Sequence, residues 1–160
     1  MTQDSSGSVG FTETERAFLA ALNAAGVKFM VVGLSAARLQ GATVVTEDID
    51  LWFEPGSETA IAAAARDTGV VYVPSGVAMN PPQFGGRYVR LDQVLTLSGL
   101  GSFEAEEPNS ISMEVSGIPI RVLKLDRILH SKRVADRAKD RAVLPALEAA
   151  VLAAHEMLEE

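Results

Sequence analysis

The run Thr46-Glu47-Asp48-Ile49-Asp50-Leu51-Trp52-Phe53 sets two aspartates two residues apart among large apolar side chains. On a strand, alternate side chains share a face, so Asp48 and Asp50 project together. Their Cα atoms are about 6–7 Å apart, given a rise of roughly 3.3 Å per residue. Ile49, Leu51 and Phe53 then face the other way, into a core. Carboxylates so close repel unless a cation lies between them, and a hard divalent ion such as magnesium takes oxygen ligands of this kind. The competing reading is a pair of solvent-facing aspartates at the start of a strand.

The surrounding punctuation makes the strand part of a larger pattern. Thr12 with Glu15 three residues on is a capping box, and Phe18, Leu19 and Leu22 form the apolar stripe of a helix that Gly26 stops. Val27 to Val32 reads as a short apolar strand ended by Gly33, and Leu34 to Gln40 as one or two helical turns running into Gly41. An Ala-rich helix lies between Ser57 and Gly69, followed by a strand in Val70-Val71-Tyr72-Val73. Residues 75–86, with three glycines and two prolines, read as a loop. Arg87 to Leu95 is a further strand, and the segments flanking Ser116-Gly117 form a hairpin. From Leu125 onward helical spacing returns. One stripe holds Leu125, Ile128, Leu129 and Val134; another holds Leu144, Leu147, Val151, Leu152 and Met157. The expected fold is α/β (α+β), a mixed sheet flanked by helices with C-terminal helices. Residues 1–10 read as a disordered polar tail and 11–160 as a single domain.

Composition excludes several classes. No apolar stretch is long enough to span a membrane, and the polar N-terminus lacks the features of a signal peptide. With no cysteine there are no disulfides or thiolate metal sites, which fits a cytoplasmic protein. A net charge of −7 argues against broad nucleic-acid binding. The charge is nevertheless uneven. Arg121 to Arg141 holds eight basic and three acidic residues, a local excess of +5, whose bland reading is a solvated helix face.

Gly33, Gly41 and Thr46-Glu47-Asp48-Ile49-Asp50 stand at a spacing that resembles the core of the nucleotidyltransferase superfamily. The likeness is to its small bacterial branch of minimal nucleotidyltransferases and abortive-infection toxins. In that family a glycine turn precedes a short helix, Asp-x-Asp follows on the next strand, and a third carboxylate sits on a later strand. Asp92, in Val89-Arg90-Leu91-Asp92-Gln93-Val94-Leu95, is in that context, and Lys132, Arg137, Lys139 and Asp140 resemble the family's C-terminal basic stretch. The resemblance spans Val27 to Leu147.

It implies a magnesium-dependent transfer of a nucleoside monophosphate from an NTP to an acceptor hydroxyl, with loss of pyrophosphate. Asp48, Asp50 and Asp92 would be the metal ligands, for one or two ions, and Asp92 also the base. Gly33 and Ser35 would meet the triphosphate at the turn, and Lys132 or Arg133 the phosphates or the acceptor. The acceptor is a tRNA, a protein or a small molecule. The chain departs from the pattern at Leu34, where the turn has Gly or Ser, and at Val44 and Glu47, where the branch usually carries basic residues. Those departures support an alternative: a catalytically weak or inactive relative that binds nucleotide or an antitoxin-like protein partner, as half of a toxin–antitoxin pair. A third reading is a structural protein whose carboxylates bind nothing.

Overall fold

A computed structural model of the chain describes residues 10–76 and 80–159. The expected N-terminal tail lies outside the described residues apart from Gly10. The capping box forms as the sequence implies: Thr12 and Glu15 satisfy each other's backbone N–H groups at the start of α1 (Glu13–Ala24). Phe18, Leu19 and Leu22 are fully buried on its inner face.

After β1 (Phe29–Val32) the chain enters α2 (Gly33–Leu39), then β2 (Ile49–Phe53) and α3 (Glu58–Thr68). Two short strands, β3 (Val71–Val73) and β4 (Gln83–Gly85), pair with each other in a sheet of their own. The chain continues through β5 (Leu91–Val94), the single turn α4 (Phe103–Glu106) and a 3-10 turn at Glu107–Asn109. It ends with the hairpin β6 (Ser110–Val115) and β7 (Ile118–Leu123), then α5 (Leu125–Ala135) and α6 (Ala138–Glu159). Ser116 and Gly117 both take positive φ, at 54° and 79°, so the hairpin turns tightly through the left-handed region.

The main sheet has the order β5-β2-β1-β7-β6. It is mixed: β1 runs antiparallel to β2 and parallel to β7, β2 is parallel to β5, and β6 is antiparallel to β7. Phe53 turns toward Phe84 of β4, which meets Phe18 of α1 edge to face at 5.4 Å. Trp52, one residue earlier and therefore on the other face, meets Phe103 of α4 at 5.7 Å. The helices pack pairwise, α1 on α3, α2 on α5 and α5 on α6.

Three expectations are corrected. The segment expected to be a loop contains β4, whose Phe84 joins an aromatic group with Phe18, Phe53 and Tyr72. The strand expected over Arg87 to Leu95 is confined to β5, because Tyr88 adopts a φ of 63° that breaks extension. In the C-terminal stripes, Val134, Leu152 and Met157 are exposed, and Leu147 alone of the second stripe is fully buried.

Candidate active site

Asp50 and Asp92 are partners in the parallel ladder between β2 and β5. In-register residues on adjacent strands project from the same face, so the two carboxylates stand side by side on strands about 4.8 Å apart. Asp48 precedes β2 rather than lying within it, yet it lines the same cleft of about 290 Å³ as Asp50 and Asp92. Lys132 and Lys139 bring positive charge to that cleft from α5 and α6. Residues separated by more than eighty positions in the chain thus meet at one place.

Gly33 is what allows the approach. It begins α2 with φ at 65°, and a Cβ built there would lie 2.5 Å from Asp50 Oδ2. Any other residue would meet both the backbone penalty of the left-handed region and the Asp50 carboxylate. Ser35 is buried beside this contact. Its Oγ donates to the Val32 carbonyl at 2.8 Å and accepts from the Asp50 backbone N–H at 3.0 Å. The hydroxyl is therefore engaged with backbone, and Ser35 lines a neighbouring crevice rather than the aspartate cleft.

The electrostatics follow from this crowding. Burial, then the charges of Asp92 and Asp48, push the Asp50 carboxyl up to about 6, against a partial pull downward from Lys132. Among the described residues, no three His, Cys, Asp or Glu side chains stand close enough as placed to hold a metal ion. Asp48 and Asp92 are exposed at the cleft, whereas Asp50 is partly buried at its base.

Lys132 is held by Asp140, whose Oδ1 lies 3.5 Å from Nζ. Asp140 is almost fully buried at the start of α6 and also receives the Arg137 guanidinium in a two-pronged contact at 2.6 and 3.1 Å. Arg137 first, with Lys132 adding to it, draws the Asp140 carboxyl down to about 2 against the opposing effect of burial. Arg133, the alternative phosphate contact, instead pairs with Glu148 at 2.8 Å on an exposed surface. Two features escaped the sequence reading. Asp140, which the resemblance places in the C-terminal basic stretch, anchors Lys132, and Glu15 does more than cap α1. Its fully buried carboxylate accepts from the Arg90 backbone N–H, Nε and Nη2 at 2.7, 3.1 and 2.7 Å. The capping box was visible in sequence, but nothing local signalled a partner 75 residues away.

No family model matches the chain, and no curated protein matches it. Among solved structures it is similar to the antibiotic-resistance factor ANT(2″)-Ia in solution, at 18% identity and a TM-score of 0.53, over 91% of this chain and 93% of that one. A crystal structure of that factor in complex with adenylyl-2″-tobramycin matches at 18% identity and 0.52, over 88% of each chain. An antigenic nucleotidyltransferase-like protein from Paracoccidioides brasiliensis matches at 10% identity and 0.53, over 89% of this chain and 78% of that one. At such low identity the likeness establishes the fold alone, a nucleotidyltransferase-like one.

Proposed function

We propose that this nucleotidyltransferase-fold chain moves a nucleoside monophosphate from an NTP to an acceptor hydroxyl, with Asp48, Asp50 and Asp92 as its metal-binding carboxylates. The observation that carries the reading is the in-register pair Asp50–Asp92, with Asp48 and two lysines on the same cleft. The donor set suits a hard divalent cation: it is all oxygen, and Asp50 is raised by burial and then by its acidic neighbours, whose repulsion a cation would relieve. Asp48 and Asp92 are exposed, and exposed side chains exchange among staggered rotamers, which would let their carboxylates turn toward a cation at Asp50. Bound there, one or two magnesium ions would neutralise charge on the phosphates and lower the proton affinity of the acceptor oxygen.

The chain's own residues do the rest. Gly33 keeps space open above Asp50, and Ser35 fixes the Asp50 backbone from below, so its hydroxyl positions a ligand rather than meeting the triphosphate. Lys132, oriented by Asp140, faces the cleft where phosphate oxygens would lie. Asp92, the more exposed of the strand pair, takes the acceptor proton as the acceptor oxygen bonds to the α-phosphorus and the bond to pyrophosphate breaks. Such a reaction depends on positioning and charge far more than on covalent chemistry. The acceptor is a tRNA, a protein hydroxyl or a small molecule; ANT(2″)-Ia, a structural neighbour, has been captured with adenylyl-2″-tobramycin.

A second reading has its own support. Leu34 lines the cleft, and Val44 and Glu47 contribute no positive charge beside it, so a weak or inactive relative would bind nucleotide or a partner protein, antitoxin-like in a paired system, without turnover. Both readings place the protein in the cytoplasm, where nucleoside triphosphates are available. The deciding experiment incubates the protein with α-labelled NTPs and magnesium against tRNA, protein and aminoglycoside acceptors. Label transfer that Asp50→Asn abolishes supports the enzyme; triphosphate binding without transfer to any acceptor favours the second reading.

A further inference from the structure

We infer that Glu15 and Arg90 form a positioning pair that sets how the two strand aspartates of the metal site stand relative to each other. The inference rests on the carboxylate site proposed above.

Arg90 lies two residues before Asp92, at the point where the chain enters β5. Its carbonyl accepts a hydrogen bond from the Ile49 N–H at 2.9 Å, which stitches β5 to β2 one residue before Asp50. The Arg90 backbone N–H and guanidinium are gripped by Glu15, and Nη2 also donates to the Gly10 carbonyl at 3.0 Å. Glu15 is fully buried, and its two oxygens accept from four donors, the fourth being the Thr12 N–H at 2.9 Å. Burial raises the Glu15 carboxyl, but hydrogen bonds from Arg90 and from the Thr12 and Arg90 backbones outweigh it and leave the group ionised.

The geometry has a direct consequence. Helix α1 holds Glu15, Glu15 holds the Arg90 backbone, and the Arg90 backbone holds the start of β2. A slip of β5 by one residue would send Asp92 to the opposite face of the sheet, because side-chain direction alternates along a strand. β5 is an edge strand, bonded within its sheet to β2 on one side only, so the grip of Glu15 on Arg90 adds a second restraint to the register that the β2 ladder sets. One buried carboxylate thus caps α1 and grips Arg90, tying the helix to the strand position that sets Asp92 beside Asp50.

The test is manganese affinity, measured by calorimetry or by the paramagnetism of free Mn²⁺, with catalytic turnover left aside. Wild type, Glu15→Gln, Arg90→Lys and Asp50→Asn are compared with Glu106→Gln, which breaks another buried ion pair, between α4 and Arg127 of α5. Loss of a group that orients metal ligands reduces affinity by about 10- to 100-fold, and that is the expected result for Glu15→Gln. Arg90→Lys keeps the charge but loses the fork and should weaken binding in the same direction, which covers the case in which Glu15→Gln does not fold. Glu106→Gln should lose thermal stability yet keep its manganese affinity within about twofold, the spread expected for an independent site. Wild-type affinity in Glu15→Gln and Arg90→Lys, alongside loss in Asp50→Asn, overturns the positioning role and leaves the carboxylate site standing. Equal losses in Glu15→Gln and Glu106→Gln overturn it as well, since the effect would then be general loosening. No manganese binding by wild type overturns both the site and the inference.

Discussion

Asp50 and Asp92 face each other across adjacent parallel strands, and the carboxyl of Asp50 is held up at about 6. Burial raises that carboxyl first and the neighbouring charge of Asp92 adds to it, while Gly33 lacks the Cβ that would collide with the Asp50 carboxylate.

The first prediction concerns stability without metal. Between the unfolded value of 3.8 and the folded value of about 6, native Asp50 binds more protons than the unfolded chain does. Its contribution to stability is therefore fully present below the lower value and is lost as pH rises through the upper one. Asp50→Asn should remove that component and stabilise the metal-free protein at neutral pH by about 1–3 kcal/mol. Magnesium should raise the melting temperature of wild type and not of the variant. Urea unfolding across this pH range checks the claim; identical pH profiles for the two proteins would contradict it.

A paired comparison tests the glycine. Gly33 and Gly41 both adopt positive φ, at 65° and 97°, but only at Gly33 does an added Cβ meet anything within 4 Å. Each alanine substitution should cost about 1–2 kcal/mol from backbone strain. Only Gly33→Ala should also lose the magnesium-dependent rise in melting temperature, because the new methyl displaces Asp50.

Acid should act through a different set of groups. Arg127 draws Glu106 down to about 2, and Arg137 does the same for Asp140. These depressed carboxyls contribute stability above their unfolded values of 4.5 and 3.8, and it is lost as pH falls toward 2. Arg127→Gln should flatten the acid limb of the stability curve while leaving the Asp50 component between 3.8 and about 6 in place. Denaturant titrations at stepped pH separate the two.

Much of this architecture was legible in sequence because its signals are local. The Thr12 cap, the stop at Gly33, the Asp48–Asp50 spacing and the Ser116-Gly117 turn each depend on a few consecutive residues. Asp92 was found only through the resemblance, since one aspartate in a strand carries no periodic signal of its own. Strand β4 was hidden because prolines and glycines flank Gln83-Phe84-Gly85, and its place is fixed by Phe84 meeting aromatics from three other elements. The contacts of Glu15 with Arg90 and of Glu106 with Arg127 were unreadable for the same reason: each joins distant segments, and a capping or surface role explains each acid equally well in isolation. Helical spacing alone also overstated the buried stripes of α5 and α6, where Val134, Leu152 and Met157 are exposed.

The lysine that Asp140 orients should carry phosphate affinity. Lys132→Ala removes one charge-assisted contact and should weaken triphosphate binding by roughly 10- to 150-fold, equivalent to about 1.5–3 kcal/mol. Glu47→Lys, on the exposed approach to Asp48, replaces a repelling charge with an attracting one and should tighten it. Equilibrium binding in magnesium at low ionic strength measures both, since screening weakens the effect of exposed charges.

The central claim, that Asp48, Asp50 and Asp92 form a site for a metal-bound triphosphate, is tested most directly by calorimetry. Each ribonucleoside triphosphate is titrated in millimolar magnesium into wild type, Asp50→Asn and Asp92→Asn. The account predicts that at least one nucleotide binds wild type at submillimolar concentration and loses about tenfold or more in affinity in each variant. Binding of equal strength in all three proteins, or no binding to wild type at millimolar nucleotide, would contradict it.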